Sequence, residues 1–149
     1  GVNVSISCDI RLASADSVFA IPATRLGLGY RFSALKNLVD LIGPGRAKDI
    51  FFTGRRLDSA EALAIGLVNR VVPTDGLEAL VADYAQMIGT GAPLTIKAGK
   101  RIIREVLKAD ADIDTDLCRQ LILDCFESED YAEGRTAFME KRKPVFRGK

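Results

Sequence analysis

The chain has 149 residues, 48% hydrophobic and 28% charged, with a formal net charge of +1. That composition describes an ordinary globular chain with enough length for a sizeable core, and gives no bulk-charge signal for a nucleic-acid or membrane partner. The sequence contains no histidine, which removes Ser-His-Asp and Cys-His nucleophile pairs, and the commonest metal ligand, from this chain.

In chain order, Val4, Ile6 and Cys8 alternate with Ser5, Ser7 and Asp9, a pattern open to a strand or to a short buried helix. Ile10 to Ala13 and Val18 to Ile21 read as short strands around the turn "SADS". Ser33 is placed to cap a helix through Leu35, Leu38, Val39 and Ile42, ended by Gly43-Pro44. A second helix is expected from Arg46 to Phe52, ending near Gly54. Asp58 or Ser59 caps a short helix that Gly66 stops, and Leu67 to Val72 returns as a strand. A longer helix carries Leu77, Leu80, Val81, Tyr84 and Ile88. Pro93 opens the next, through Ile96, Ile102 and Leu107. "DADIDTDLCRQLILDCF" reads as a third, with Ile113, Leu117, Leu121 and Cys125 on one face, and "SEDYAEGRTAFMEKRKPVF" as the last, stopped by Pro144. The fold class is α/β, with a helical C-terminal part and no internal repeat or linker.

No apolar run reaches the roughly 20 residues of a membrane helix, and no basic n-region precedes an apolar stretch at the N-terminus. Cys8, Cys118 and Cys125 have no metal-ligand or redox spacing. Scattered thiols in odd number fit a reducing compartment, such as a bacterial cytoplasm or the mitochondrial matrix. The opening "GVNVSISCDIRLAS" has no initiator Met and an apolar alternation already running, so the sequence reads as a chain entered mid-domain.

Without histidine, any chemistry falls to carboxylates, Tyr, Lys, Arg or backbone N–H groups. "GPGR" at 43–46 lacks the Lys-Ser/Thr of a phosphate loop and reads as a turn between helices. "LGLG" at 26–29 is a turn or a ligand-facing loop. Tyr30 is core or a pocket hydroxyl, and Asn3 is a brace for a buried turn or a polar group in a site. Asp9 reads as a local brace. Lys141, Arg142 and Lys143 end a helix whose first turn carries Glu129 and Asp130. That distribution complements the helix dipole. It also permits anion capture beside the flat face of Phe138, as a nucleotide would require.

Four segments together, "SCDIRLAS", "FAIPATRLGLG", "DIFFTGRRLDSAEALAIGLVNRVVP" and "SEDYAEGRTAFMEKRKPVF", resemble the crotonase superfamily, the enoyl-CoA hydratase/isomerase family. They stand in family order and cover nearly the whole chain. The resemblance implies a partial spiral of ββα units over residues 1–90, followed over 91–149 by C-terminal helices that build a homotrimer or a dimer of trimers. It implies an acyl-CoA substrate, with coenzyme A as part of the substrate and no other cofactor or metal. It further implies two backbone N–H donors that stabilise an enolate, both lying upstream of Gly1. Such donors supply roughly 3–4 kcal/mol each in a dry site.

By the same resemblance, Asn3 and Ala23 stand where hydratases place two glutamates, and Arg31 where dienoyl-CoA isomerases place an aspartate. Hydration needs a base for water and an acid for carbon, and neither Asn nor Ala exchanges a proton near neutral pH. The run "FAIPATRLGLGYRFSALKNL" is similar, without gaps, to the methylmalonyl-CoA decarboxylase branch. There Tyr30 falls on a pocket tyrosine that orients a carboxylate, while Asn3 departs from a Glu. Ala23, Arg25 and Gly29 are the expected substrate-pocket residues, with Arg25 and Arg31 suited to an anionic acyl group. Phe138 and Lys141 match positions that contact CoA. The expected function is a lyase or isomerase acting on an acyl-CoA, decarboxylase-like in its missing acids. The alternatives are a hydratase or isomerase with acid and base supplied upstream, and a non-catalytic acyl-CoA binder.

Overall fold

Strands of two or three residues cannot hold themselves together, so each depends on a partner remote in sequence. In the computed structural model, which describes residues 1–149, strand β1 (Leu12–Ser14) pairs in parallel with β4 (Arg70–Val72), Leu12 facing Arg70 and Ser14 facing Val72. Strand β2 (Val18–Phe19) pairs antiparallel with β3 (Leu57–Asp58). The ends of the parallel pair are tied by Asn69, whose Oδ1 accepts from Arg11 N at 2.8 Å and whose N–H donates to Arg11 O. Arg11 Nε donates to Leu67 O at 2.7 Å.

The chain forms two compact units, Gly1–Ala82 and Asp83–Lys149, where the sequence placed a boundary at residue 90. The first holds the core, built from Ile6, Ala13, Ile21, Leu38, Ile50, Leu57 and their neighbours. Helix α1 (Val2–Ser5) takes the helical alternative for the opening alternation. Serines here bond back to the preceding turn, Ser5 Oγ to Val2 O and Ser7 Oγ to Asn3 O. Helix α2 (Phe32–Ile42) starts at Arg31 in extended conformation, with no side-chain cap. Ser33 lies inside the helix rather than at its cap, because the chain turns two residues earlier.

Pro44 opens α3 (Pro44–Thr53) at its first position and Gly54 closes it in the left-handed region, φ 55°. A Cβ on Gly54 would also meet Arg25 Nε at 3.2 Å, a tight contact added to the left-handed backbone that favours glycine there. Asp58 caps α4 (Ser59–Ala64) by accepting from Glu61 N. The strand expected from Leu67 is shorter, because Leu67 and Val68 both send their N–H to Ala62 O and enter the core instead.

Helix α5 (Leu77–Gly89) leads into the second unit, where α6 (Pro93–Val106), α7 (Thr115–Phe126) and α8 (Glu129–Met139) follow. The segment expected as one helix from Asp110 is a short 3-10 turn, Asp110–Asp112, and then α7. Asp114 breaks the run because its side chain accepts from Leu117 N as an N-cap. Ser128 caps α8 in the same way. Helix α8 ends before Pro144, in a left-handed residue at Lys141, φ 54°.

Between α6 and α7 sits a fully buried carboxylate, Glu105. Its Oε2 is 2.6 Å from Lys108 Nζ and accepts from Asp114 N at 3.1 Å. Its Oε1 lies 3.1 Å from Arg101 Nη2 as an ion pair, out of hydrogen-bond alignment. The hydrogen bond from Lys108, then that from Asp114 N–H, hold this carboxyl below its ordinary value of 4.5. A lowered value stabilises the fold at pH above the ordinary value, and the contribution disappears as pH falls through the lowered one. Glu105→Gln is therefore expected to lower the melting temperature of a protein containing this chain by several degrees at neutral pH. The gap should narrow in strong acid. Melting curves of both forms across pH check it, and a gap independent of pH would contradict it.

Candidate functional site

The segment that follows β2 is shaped by Pro22 and Gly27. Pro22 opens a single 3-10 turn, Pro22–Arg25. Gly27, φ 60°, then reverses the chain, so the N–H groups of Leu26 and Leu28 both reach Ala23 O, at 3.1 and 3.0 Å. The buried methyl of Ala23 is thereby fixed on the wall of a cavity of about 170 Å³. Val2 and Asn3 of α1, Ile21, Leu26, Leu28 and Tyr30 also line it.

Asn3 and Tyr30 are the only polar side chains on that lining, and they bond to each other. Tyr30 Oη donates to Asn3 Oδ1 at 2.6 Å. The tyrosine ring stands edge-on to Phe51, with centroids 5.4 Å apart, and packs against the core. Burial pushes the phenol above its ordinary value of 10.0, against a smaller lowering from the bond to Asn3. Tyr30 therefore stays protonated at neutral pH and is the donor of the pair. The amide oxygen of Asn3 is occupied, which leaves its NH2 as the group free to donate. No carboxylate lines the cavity, so the arrangement can bind and orient through N–H and O–H groups but holds no group poised for proton transfer.

The other expected pocket residues lie elsewhere. Arg25 turns towards the end of α3, where its Nη2 meets Thr53 O at 3.5 Å, and Gly29 does not line the cavity. Arg31 is exposed at the start of α2. In the second unit, Phe138 is 82% exposed. It lines an apolar groove of about 700 Å³ with Ile102, Phe126, Tyr131 and Phe146. Lys141 follows three residues later, just past the end of α8.

Two carboxylates carry roles that local sequence did not show. Asp130, buried in the first turn of α8, accepts from Arg147 N at 2.6 Å and Gly148 N at 2.8 Å rather than serving the helix dipole alone. Glu133 binds Arg142 and Val145 N. Their partners lie 9 to 18 residues away, beyond any helical spacing. The apolar cavity wall did leave a trace, the alternation Leu26-Gly27-Leu28-Gly29.

The family model for enoyl-CoA hydratase/isomerase matches residues 1–149. The chain is 36% identical to a short-chain-enoyl-CoA hydratase of Clostridium acetobutylicum over 96% of its own length and 55% of the relative's. It is 34% identical to a crotonyl-CoA hydratase of Syntrophomonas wolfei, over 98% of its own length and 56% of the relative's. It thus spans little more than half the length of these relatives. Among solved structures it superposes on an enoyl-CoA hydratase from Bacillus anthracis with a TM-score of 0.94 and 32% identity, covering all of this chain and 58% of that one. A putative enoyl-CoA hydratase/isomerase family protein from Hyphomonas neptunium gives a TM-score of 0.91 at 32% identity, over 99% of this chain and 56% of that one. Matched over its whole length by the family model and by the fold of solved members, the chain belongs to the crotonase superfamily, the enoyl-CoA hydratase/isomerase family.

Proposed function

We propose that the protein containing this chain acts on an acyl-CoA thioester whose acyl group carries a carboxylate, and that it releases CO2 to form a thioester enolate. The observation that carries this reading is the Tyr30–Asn3 hydrogen bond in a cavity with no acid on its lining. Breaking the bond from the α-carbon to the carboxylate sends its electron pair into the thioester carbonyl. The negative charge then rests on oxygen, where backbone N–H donors upstream of Gly1 would receive it. No base is needed for that step, and the enolate afterwards takes a proton at carbon from solvent water. A carboxylate in place of Ala23 would repel the substrate's own charge. The amide of Asn3, held by Tyr30, donates to it instead. In this reading Tyr30 positions Asn3 and Asn3 meets the substrate, with Ala23 leaving room for the acyl group. Arg25 serves this pocket only at a distance, through the loop it anchors to α3.

Hydration is the second reading, favoured by relatives whose names are short-chain-enoyl-CoA and crotonyl-CoA hydratase. It requires an acid and a base from residues outside this chain. Phe138 and Lys141 are assigned to coenzyme A, the ring to the adenine and the ammonium to the ribose phosphate, in an assembly of three copies or a pair of such trimers. No helix is long and apolar enough to cross a membrane. A bacterial cytoplasm or mitochondrial matrix is the proposed location, and one relative is named a probable mitochondrial enoyl-CoA hydratase of Arabidopsis thaliana.

Intact protein supplied separately with methylmalonyl-CoA and crotonyl-CoA separates the two readings. CO2 release from the first supports decarboxylation. Hydration of the second without CO2 release overturns it. If CO2 is released, Tyr30→Phe should reduce kcat/KM about tenfold, the effect of one lost hydrogen bond to a positioned polar group.

The pH profile offers an independent check. With no carboxylate on the cavity lining and Tyr30 held above its ordinary value, kcat/KM should be flat from the ordinary carboxylate range up to the tyrosine range. An acid limb would indicate a catalytic carboxylate and argue for hydratase-type chemistry. Lys141→Ala should weaken CoA binding more than dephospho-CoA binding by calorimetry, and equal losses would remove Lys141 from the phosphate site.

A further inference from the structure

Lys141 is the one non-glycine residue with positive φ, at 54°. It stands where helices usually place glycine. Arg142 N donates to Ala137 O at 3.0 Å and Lys141 N to Phe138 O at 3.3 Å, the two bonds of a Schellman motif. A side chain makes that conformation unfavourable. A lysine there persists where the surroundings hold it.

The surroundings are specific. Arg142 lays its guanidinium along Glu133, Nη1 to Oε1 at 2.6 Å and Nη2 to Oε2 at 2.8 Å. Its Nε donates to Glu140 Oε2 at 2.6 Å. Glu133 Oε1 also accepts from Val145 N at 2.9 Å. One carboxylate therefore grips the chain on the C-terminal side of Lys141 at two points. The hydrogen bonds from Arg142, and then that from Val145, lower the Glu133 carboxyl to about 2, so the clamp is ionised at any ordinary pH. Arg142 pairs with both nearby carboxylates, Glu133 and Glu140, which leaves the Lys141 ammonium outside those ion pairs.

We propose that Glu133 is a positioning residue for anion binding: through Arg142 and Val145 it holds Lys141 in its left-handed conformation and keeps its ammonium free for a phosphate. This rests on the reading that Lys141 meets the ribose phosphate of CoA. The fork matters as much as the charge, since a bidentate pair fixes orientation where a point charge does not.

Calorimetry on intact protein with CoA and with dephospho-CoA tests it, reading the ratio of the two affinities for wild type, Lys141→Ala, Glu133→Gln and the double variant. Glu133→Gln should lower the ratio about tenfold, the scale of one lost charge-assisted contact, and should lower it no further when Lys141 is already alanine. Arg142→Lys, which keeps the charge but loses the fork, should lower the ratio in the same direction if Glu133→Gln fails to fold. A ratio that falls with Lys141→Ala but not with Glu133→Gln or Arg142→Lys overturns the proposal and leaves the phosphate reading intact. Equal falls from Glu133→Gln with and without Lys141 also overturn it, since Glu133 would then act independently of Lys141. A ratio unmoved by Lys141→Ala removes the phosphate reading and this proposal together.

Discussion

Parallel pairing of β1 with β4 is the constraint on which the first unit depends. The two strands meet across 58 residues, Leu12 opposite Arg70, and a parallel pair cannot be closed by a tight turn. The intervening chain must leave the strand edge and return. It does so through α2, α3 and α4, whose Leu38, Ile42, Ala47, Ile50 and Ala62 bury against Ala13 and Leu57. Each strand contributes too few hydrogen bonds to stand alone. The bonds that join Arg11 to Leu67 and Asn69 extend the ladder by one backbone bond and two that use a side chain. Closing so long a loop costs conformational entropy, which the apolar burial of the crossover helices offsets.

The cavity is a consequence of that closure. β1 fixes the chain that follows α1, and the β2–β3 pair fixes the start of the Ala20–Tyr30 segment. Tyr30 then spans from Phe51, which packs against the core, to Asn3 on α1. Core residue and pocket hydroxyl are alternatives in a sequence but not in the structure, because the ring and the oxygen of one tyrosine face different surroundings. The same division explains why the pair does not titrate near neutral pH. A phenol held above its ordinary value by burial keeps its proton, and an amide has none to give up near neutral pH.

What the sequence made legible was local chemistry. Asp58 as a helix cap, Pro93 at a first helical position, and Gly54 and Gly66 at positive φ each announce themselves through short-range sterics or capping, whereas Gly43-Pro44 reads as the end of α2 and Pro44 in fact opens α3 two residues before Arg46. Ser33 misled because a capping side chain signals only a nearby start, and the start here is set by the extended backbone at Arg31. The strands were overextended because the β pattern reports apolar burial, and Leu67 and Val68 are buried without pairing. The motif places Arg25 at the pocket, yet the turn from Pro22 to Gly27 sends its side chain to Thr53. The pairings of Glu105, Asp130 and Glu133 join groups whose proximity only the folded chain creates.

Glu105 and Glu133 show how the same chemistry serves different ends. Both are carboxylates lowered by a cation and a backbone N–H. Glu105 is buried, and its partners Lys108 and Asp114 lead directly into α7, so its charge fixes the turn between two helices. Glu133 is only partly covered, and a surface ion pair ordinarily adds little stability. Its partners instead directly follow a strained lysine that makes neither of those pairs. A weakly stabilising interaction beside an unfavourable backbone conformation is poorly explained by stability alone. It is better explained by what the conformation presents, an ammonium three residues beyond an exposed phenylalanine.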